Sequence, residues 1–351
     1  MTENPLVSVI VVVRNGRRDI LGVLESIQQQ HYAPLEILIV DGMSDDGTKA
    51  LVENYARSSH ACSIRLLDNP DRIQSSGWNI GIRAATGSYL LRIDAVHCRL
   101  QANYIRCCFE KLLELQQFDP SVAATGGRRL SVARTESAWS EAIALAQSCR
   151  FGVGNAGYRL DTKAGFKDTL GVPLYDRRIL LNVELFDESL GRSEDNDLHA
   201  RLRQQGFKLY FTPDATVVYH PRSTLSGIAS QMFHNGWWVS VTTLRKHCFP
   251  FGARHVTPFL FYLTLTCLML LSISGFFLPR ILFCGMVAIY LSASLGAAFQ
   301  ASACGRFWRV AVVFWLMHFC YAAGTTAGLL ARETRTAEKG ALTAPGADYG
   351  L

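Results

Sequence analysis

The chain has 351 residues, of which 49% are hydrophobic and 18% are charged, and its formal net charge is +6. This length suits one large domain or two ordinary ones. The net charge is modest and bases cluster beside the apolar C-terminal part, at Arg245, Lys246 and Arg254, which favours anionic lipid headgroups over nucleic acid as a partner.

The N-terminus and the cysteines indicate a reducing compartment for the first part of the chain. Residues 1–5 lack the basic segment of a signal peptide, and the apolar run Val7–Val13 is short and β-branched. The ten cysteines form no CxxC pair, so we interpret them as small hydrophobic residues rather than as zinc ligands or disulfides. We therefore expect residues 1–255 to remain in the cytosol.

The N-terminal part of the chain predicts a parallel sheet. Val7–Val13 indicates a buried strand, Ile20–Ile27 has apolar residues at helical spacing, and Leu35–Val40 is a second apolar strand. Strand, helix and strand in this order form the βαβ unit of a parallel sheet. The alternation continues with a strand, a helix and a strand at Ser63–Leu67, Ile73–Ala85 and Tyr89–Ile93.

Two acids follow strands of this predicted sheet. Asp41 ends the second strand and Asp94 ends the fourth, and ligands of open α/β sheets bind at the carboxyl ends of strands. Asp41–Thr48 suits a loop that hydrogen-bonds a base or a ribose, although an ordinary turn with a helix N-cap explains it as well. Asp94 could hold Mg²⁺ or Mn²⁺ bridging a diphosphate, or could cap the next helix.

The middle of the chain contains an acidic cluster at the start of a predicted helix. Residues 128–171 are rich in glycines and are predicted to form loops. We expect these loops to shape the side of the site that receives an acceptor substrate. Glu194-Asp195 precedes the helix Asn196–Gln205, where the helix dipole stabilises ionised acids. A capping cluster explains this position, but an ionised aspartate near an acceptor hydroxyl can also act as a general base. Two short strands are predicted after the helix, at Phe207–Phe211 and Thr216–Tyr219.

The C-terminal part indicates a membrane anchor. Three uncharged runs are each long enough to span a bilayer, at Thr257–Leu278, Ile281–Gln300 and Val310–Leu330. Pro279-Arg280 is predicted to be a turn between the first two, and residues 331–351 are predicted to be disordered. Residues 223–256, with Trp237-Trp238 followed by bases, fit a helix at the lipid interface, and a role in substrate binding fits equally well.

Four segments stand out by their order and spacing, namely Val7–Asn15, Glu36–Thr48, Ala85–Asp94, and Phe186–Glu188 with Glu194–Leu198 and Arg201-Leu202. Together with the apolar C-terminus, this series resembles the family-2 glycosyltransferases with the GT-A fold. Within that family it looks closest to membrane-anchored bacterial exopolysaccharide enzymes of the succinoglycan type. The resemblance covers about residues 6–245 and the anchor. It implies a Rossmann-like, mostly parallel α/β catalytic domain at residues 1–222, with about three transmembrane helices at residues 257–330.

The resemblance implies a role for each matching residue. Asp195 would be the catalytic base with Glu194 beside it, and Asp94 would begin a metal-binding DxD-type motif for Mg²⁺ or Mn²⁺, with His97 as a second ligand. The implied contacts to the nucleotide sugar are Val13, Asn15, Asp41, Asp45, Asp46, Asn79 and Asp94. The implied contacts to the acceptor and diphosphate are Gln231, His234 and Trp237, which occupy places like those of the family's QxxRW element.

Two of these motifs depart from the family pattern. The DxD motif is Asp94-Ala95-Val96, so its second acid is missing and His97 is the nearest alternative ligand. In the QxxRW element, His234 stands where arginine is expected and the tryptophan comes two places late. We therefore expect a weakened metal site and a weaker contact to the diphosphate.

The resemblance implies an inverting sugar transfer at the bacterial inner membrane, with the catalytic domain in the cytoplasm and a multi-pass anchor. The donor would be a nucleotide sugar, expected to be a UDP-sugar, and the acceptor a polyprenyl-diphosphate-linked saccharide of exopolysaccharide or surface-glycan synthesis. One alternative is a polyprenyl-phosphate sugar transferase, although an anionic acceptor has little need of the base Asp195. Another is an inactive sugar-nucleotide-binding scaffold subunit, motivated by the altered DxD motif.

Overall fold

A computed structural model describes residues 4–58, 62–160, 163–246, 252–302 and 306–331 of the chain. The described residues form two compact units. The first lies within Met1–Leu130 and Gly157–Tyr219, and the second within Ser131–Ala156 and His220–Thr334. The first unit thus ends close to the predicted border at residue 222, but Ser131–Ala156 belong to the second unit. The predicted tail falls outside the described residues from residue 332 onward.

Strands and helices alternate along the first unit. The strands are β1 (Val7–Val13), β2 (Leu35–Asp41), β3 (Ser63–Asp68), β4 (Tyr89–Asp94), β5 (Cys98–Leu100), β6 (Val122–Ser131), β7 (Gly165-Phe166), β8 (Pro173–Asp176) and β9 (Lys208–Tyr219). The helices are α1 (Ile20–Gln28), α2 (Thr48–Ser58), α3 (Gln74–Ala84), α4 (Tyr104–Phe118), then, after two helices of the second unit, α7 (Gly157–Leu160), α8 (Arg177–Asn182) and α9 (Glu194–Gln204).

The strands form one mixed sheet in the order β3-β2-β1-β4-β8-β6-β9-β5, with β7 also paired to β9. The half made of β3, β2, β1 and β4 is parallel. Strand β1 is buried on both faces, because Val9 and Val11 pack on one side of the sheet and Ile10 and Val12 pack on the other. Such two-sided burial explains the continuous apolar runs and confirms the predicted α/β sheet.

The pairing register brings the predicted acids to one edge of the sheet. Asp41 pairs with Val13, and Asp94 pairs with Val12, one residue earlier in the same strand. Asp68 pairs with Asp41 and ends β3 at the same edge. The predicted position of Asp41 and Asp94 at the carboxyl edge of the parallel half is therefore confirmed.

Two sequence predictions for this part of the chain are corrected. Residues 128–171 are not mainly loop, because β6 continues to Ser131 and an amphipathic helix, α5 (Ala138–Gln147), follows it. The strands predicted at Phe207–Phe211 and Thr216–Tyr219 are one strand, β9. Pro213 lies between the residues of β9 that pair with β7 and those that pair with β5.

The second unit is helical. Its helices are α5, α6 (Arg150–Val153), α10 (Leu225–Lys246), α11 (Thr257–Ile273), α12 (Phe277–Ala301) and α13 (Phe307–Leu330). Glycines bring α10 and α13 into backbone contact, since a Cβ on Gly324 would lie 1.9 Å from the Phe233 oxygen and one on Gly236 would lie 2.1 Å from the Tyr321 oxygen. The segment predicted to lie at the lipid interface is thus a helix packed along the last apolar helix, with residues 247–251 outside the described residues.

Two described helices, α12 and α13, are long and apolar enough to cross a membrane. The first predicted run ends earlier than expected, because α11 stops at Ile273 and is 17 residues long. Gly275, with φ of 92°, follows α11, as a left-handed residue commonly does after a helix. Pro279-Arg280 therefore does not form the turn, since both residues lie in the first turn of α12, where a proline has no helical hydrogen bond to lose.

The close approach of α10 and α13 leads to a stability prediction. Gly324→Leu is expected to destabilise the second unit by about 1–3 kcal/mol or more, because the added side chain would overlap the backbone of Phe233. Thermal unfolding of the full chain in detergent would measure this. Gly285→Leu on α12 is the matched control, since no atom lies within 4 Å of its added Cβ. Equal melting temperatures for the two variants would contradict the packing.

Candidate active site

The loops after β1 and β2 are joined by hydrogen bonds at the carboxyl edge of the sheet. Asn15 N donates to Ser44 Oγ (2.9 Å), and Asp45 N donates to Asn15 Oδ1 (3.0 Å). Asp46 accepts from the backbone N of Arg17 (3.0 Å) and of Thr48 (2.9 Å). Although burial opposes it, hydrogen bonding from Thr48 and Arg17 holds the pKa of Asp46 below its ordinary value. Asp46 therefore fixes this double loop, while the side chain of Asp45 is exposed.

Asp41 combines burial with one free acceptor atom. The residue is 1% exposed, and its Oδ2 accepts from Ser44 N (2.9 Å). Its Oδ1 is buried and has no hydrogen-bond partner among the described residues. Val13 is fully buried, and its carbonyl oxygen accepts from Gly42 N (2.7 Å), which fixes the start of the loop. Because an unpaired buried carboxylate oxygen is costly, Oδ1 of Asp41 is a suitable acceptor for a ligand N–H or O–H.

Asp94 and His97 occupy different environments. Asp94 is partly exposed at the end of β4, and its Oδ1 accepts from the neutral Nε2 of Gln74 at 3.3 Å. His97 is 7% exposed, and its ring packs on the ring of Tyr219 with 5.4 Å between centroids. Within the described ranges, no group of three His, Cys, Asp or Glu side chains is arranged to hold a metal. The geometry thus supports Asp94 as a partial ligand more than it supports His97.

Asn79 has a supporting position. It is 2% exposed on α3, and its Nδ2 donates to Phe186 O (2.8 Å) and to Glu188 Oε1 (2.7 Å). Its Oδ1 accepts from Phe186 N (3.0 Å). Its amide group therefore holds the loop that leads to α9, and its contact to a nucleotide sugar remains a prediction.

Glu194 and Asp195 begin α9 and meet an arginine from the sheet. Nη1 of Arg92 lies 3.4 Å from Glu194 Oε1, and Nη2 lies 3.7 Å from Asp195 Oδ2. The guanidinium is also stacked between aromatic rings, 5.0 Å from the centroid of Trp78 and 5.5 Å from that of Phe186. Sequence reasoning missed Arg92. An arginine within the apolar run that leads to Asp94 could have indicated a buried partner for an acid.

The two acids of this pair differ in exposure. The Glu194 side chain is 7% exposed and that of Asp195 is 31% exposed. Burial, and then the charge of Asp195, raise the pKa of Glu194 to about 7, against the opposing effect of Arg92. Asp195 Oδ1 accepts from Asn196 N (2.8 Å), while the rest of its carboxylate faces Arg92 and solvent. Asp195 is therefore the more accessible proton acceptor.

Backbone strain is concentrated in the loops around this edge. Among the described residues, the non-glycine residues with positive φ are Asn15, Met43, Arg72 and Ser193. The first three lie in the loops after β1, β2 and β3, and Ser193 (φ 65°) directly precedes Glu194. A left-handed backbone is sterically unfavourable for residues that have a Cβ atom. Such strained residues cluster at functional sites, where the surrounding structure holds them in place.

The predicted acceptor residues lie in the second unit. Gln231, His234 and Trp237 follow one another at three-residue spacing on α10. The Oε1 of Gln231 is buried and has no hydrogen-bond partner in the described part of the chain, and Nδ1 of His234 lies 2.8 Å from the carbonyl oxygen of Ser230. Their contacts to an acceptor or a diphosphate remain predictions.

The raised pKa of Glu194 leads to a pH prediction. The turnover of the wild-type chain should rise severalfold as the pH increases through about 7, because Glu194 then ionises. Ionised Glu194 then adds a negative charge beside Asp195, where an acceptor hydroxyl would lose its proton. Glu194→Gln should remove this rise of turnover with pH. Glu110→Gln, which changes an exposed glutamate on α4, should retain it. Initial rates measured between pH 5.5 and 8.5, roughly the range over which such a carboxyl titrates, provide the comparison. A rise that persists in Glu194→Gln would assign it to another group.

Comparison with known proteins finds similarity to glycosyltransferases. Residues 8–151 match the family model "Glycosyl transferase family 2". The chain is 29% identical to the succinoglycan biosynthesis protein ExoA of Rhizobium meliloti, over 63% of this chain and 64% of that protein. It is also 24% identical to a dolichyl N-acetyl-alpha-D-glucosaminyl phosphate 3-beta-D-2,3-diacetamido-2,3-dideoxy-beta-D-glucuronosyltransferase of Methanococcus voltae, over 66% of this chain and 71% of that protein.

A solved structure shares the fold over most of the chain. The mannosyltransferase PcManGT of Pyrobaculum calidifontis, in complex with GDP-Man and Mn²⁺, superposes with a TM-score of 0.63 at 18% identity. The match covers 95% of this chain and 89% of that chain. The described sheet therefore has the GT-A fold, and residues 8–151 carry the similarity to glycosyl transferase family 2.

Proposed function

We propose that the protein transfers a sugar, with inversion, from a nucleotide sugar to a lipid-linked saccharide in bacterial exopolysaccharide or surface-glycan synthesis. The observation that carries the proposal is the pairing of Glu194 and Asp195 with Arg92, two residues before Asp94. Folding thereby brings an accessible proton acceptor to the strand end that carries the partial metal ligand. Inverting transfer uses a proton acceptor for the attacking hydroxyl and charge stabilisation for the departing diphosphate, and these two elements could supply them.

Asp41 supports binding of the donor's base. Its unpaired Oδ1 lies in the loop pair fixed by Asn15 and Asp46, at the same edge as Asp94. A carboxylate oxygen in this position can accept a hydrogen bond from a ring N–H of a nucleobase. A uracil base satisfies this requirement, and we propose a UDP-sugar donor.

The residues around Asp94 fit a divalent cation held partly by the substrate. Asp94 receives a hydrogen bond only from the neutral Gln74 among the described residues, so its charge is available to a cation. Mg²⁺ and Mn²⁺ sites of this type use one or two carboxylates with substrate phosphate oxygens, so one acid is sufficient. When bound, such an ion would neutralise charge on the departing nucleoside diphosphate.

Asp195 then acts on the acceptor. Its carboxylate takes the proton of the acceptor hydroxyl, and the hydroxyl oxygen attacks the anomeric carbon from the face opposite the diphosphate. The bond from the anomeric carbon to the phosphate oxygen breaks, so an α-linked donor gives a β-linked product. Arg92 holds Asp195 and Glu194 in place through its two ion-pair contacts.

The anchor supports a lipid-linked acceptor. Helices α12 and α13 are long enough to cross the membrane, which would keep the cytoplasmic catalytic unit near lipid-linked saccharides. One relative is named as acting on a dolichyl-linked sugar phosphate, and another belongs to succinoglycan biosynthesis. We propose a multi-pass protein of the bacterial inner membrane whose residues Gln231, His234 and Trp237 contact the acceptor.

The proposal is tested with membranes that contain the full chain. They are incubated with a panel of labelled sugar nucleotides and lipid extract, and the labelled lipid product is analysed for its anomeric configuration by NMR. A β-linked sugar on a lipid-linked saccharide is the expected result. Transfer only to bare polyprenyl phosphate would identify the alternative transferase. Nucleotide binding without transfer to any acceptor would favour a scaffold role.

A further inference from the structure

Two arginines share one aromatic ring in the first unit. The guanidinium carbon of Arg129, on β6, lies 3.2 Å from the centroid of the Tyr219 ring. That of Arg159, on α7, lies 5.8 Å from the same centroid and 5.6 Å from the ring of Tyr158. The ring of Tyr219 also contacts His97, three residues after Asp94. We refer to Arg129 and Arg159 as the arginine pair.

The arginine pair concentrates positive charge without a carboxylate in direct contact with Arg129. Among the described residues, Arg129 forms no ion pair, and its Nε is buried without a hydrogen-bond partner. Burial, and then the charge of Arg129, lower the pKa of Arg159. Two neighbouring guanidinium groups in a partly buried position repel each other, and a bound anion would relieve the repulsion.

The register of the sheet places the pair relative to Asp94. Leu91 of β4 pairs with Leu174 of β8, which pairs with Thr125 of β6. Both β4 and β6 are antiparallel to β8 and therefore run in the same direction. Asp94 lies three residues beyond Leu91, and Arg129 lies four beyond Thr125, so both reach the same edge. With two strand spacings of about 4.8 Å, Arg129 lies roughly 10 Å along the sheet from Asp94.

We infer that the arginine pair binds phosphate oxygens of a substrate during sugar transfer. The inference rests on the proposed function for the choice of substrate. Guanidinium groups present planar, charged donors that match phosphate oxygens and form strong charge-assisted hydrogen bonds. Neither arginine belongs to the motifs that the sequence singled out, so the pair adds an anion site to the edge already described.

The position of the pair favours the acceptor as the source of the phosphate. The sheet order places the nucleotide loops on β1 and β2 on one side of β4, and Arg129 on β6 on the other side. The donor's phosphates have to reach Asp94 from the nucleotide side. A phosphate on the far side of Asp94 therefore fits the diphosphate of a lipid-linked acceptor better than that of the donor.

The direct test measures binding of inorganic pyrophosphate to the full chain by calorimetry, with EDTA present so that no divalent cation bridges to Asp94. Arg129→Gln and Arg159→Gln should each weaken binding about tenfold or more, the usual effect of losing a charge-assisted hydrogen bond. Arg106→Gln, which removes an exposed arginine of α4, is the matched control. Arg129→Lys retains the charge without the planar donors, and it should bind with intermediate affinity if Arg129→Gln does not fold.

Kinetics then distinguish the two sources of phosphate. If the acceptor supplies it, Arg129→Gln raises the KM for the lipid diphosphate acceptor about tenfold and leaves the donor KM within about twofold. If the donor supplies it, the donor KM changes instead. Pyrophosphate affinity equal to wild type in folded Arg129→Gln and Arg159→Gln would overturn the inference. Because the binding measurement needs no transfer, a chain that binds pyrophosphate through these arginines but transfers no sugar would contradict only the proposed function.

Discussion

Asp195→Asn should reduce the turnover number about 10²–10⁴-fold, which is the usual contribution of a general base. The amide keeps the size and shape of the side chain but cannot accept the proton of the acceptor hydroxyl. Asp195 is also the more accessible acid of the pair, 31% exposed compared with 7% for Glu194. Loss of one partner should still leave Arg92 paired with Glu194, so we expect the fold to be retained.

The measurement separates chemistry from donor binding. Single-turnover rates with saturating donor and acceptor report the loss of the base, and calorimetry with the nucleoside diphosphate should give an affinity within about twofold of wild type. Asp168→Asn is the matched control, since the Asp168 side chain is 82% exposed and pairs with Arg203. Turnover above about half of wild type in Asp195→Asn would show that another group accepts the proton.

The parallel half of the sheet could be predicted from sequence because each of its strands is marked by a hydrophobic pattern within the strand itself. A strand buried on both faces needs a continuous apolar run, as in Val7–Val13, and the residue that ends each run lies at the carboxyl edge. Asp41 and Asp94 were therefore placed correctly without knowledge of any contact. The order of β8, β6, β9 and β5 depends on pairings between distant segments, which short-range pattern does not encode.

Arg92 shows why the chemical surroundings of the candidate site were less predictable. Its partners Glu194 and Asp195 are more than a hundred residues away, and its aromatic neighbours Trp78 and Phe186 come from two other segments. Asn79 is the converse case. The resemblance implies a ligand contact for it, whereas its hydrogen bonds to Phe186 and Glu188 give it a supporting position that the sequence did not predict. Both outcomes depend on tertiary contacts between remote segments.

Asp94→Ala should remove the metal dependence of nucleotide binding and should slow transfer by a factor of at least about 10², since charge stabilisation of a leaving group is typically worth this much. Asp94 ends β4 with only a neutral hydrogen-bond donor, Gln74, on its Oδ1. No other acid occupies the second position of the motif, so the substitution removes the carboxylate that joins the cation to the protein. The chain should still fold, because Asp94 forms no ion pair among the described residues.

His97→Ala decides whether a second protein ligand replaces the missing acid. The ring is 7% exposed and packs on Tyr219, so we expect the metal dependence of nucleotide binding to be unchanged in this variant. Nucleoside diphosphate binding is measured by calorimetry for wild type, Asp94→Ala and His97→Ala, each with MnCl₂ and with EDTA. Manganese should strengthen binding in wild type and His97→Ala but not in Asp94→Ala. A loss of the manganese effect in His97→Ala would instead mean that the ring turns from Tyr219 toward the cation, and that the altered motif retains two protein ligands.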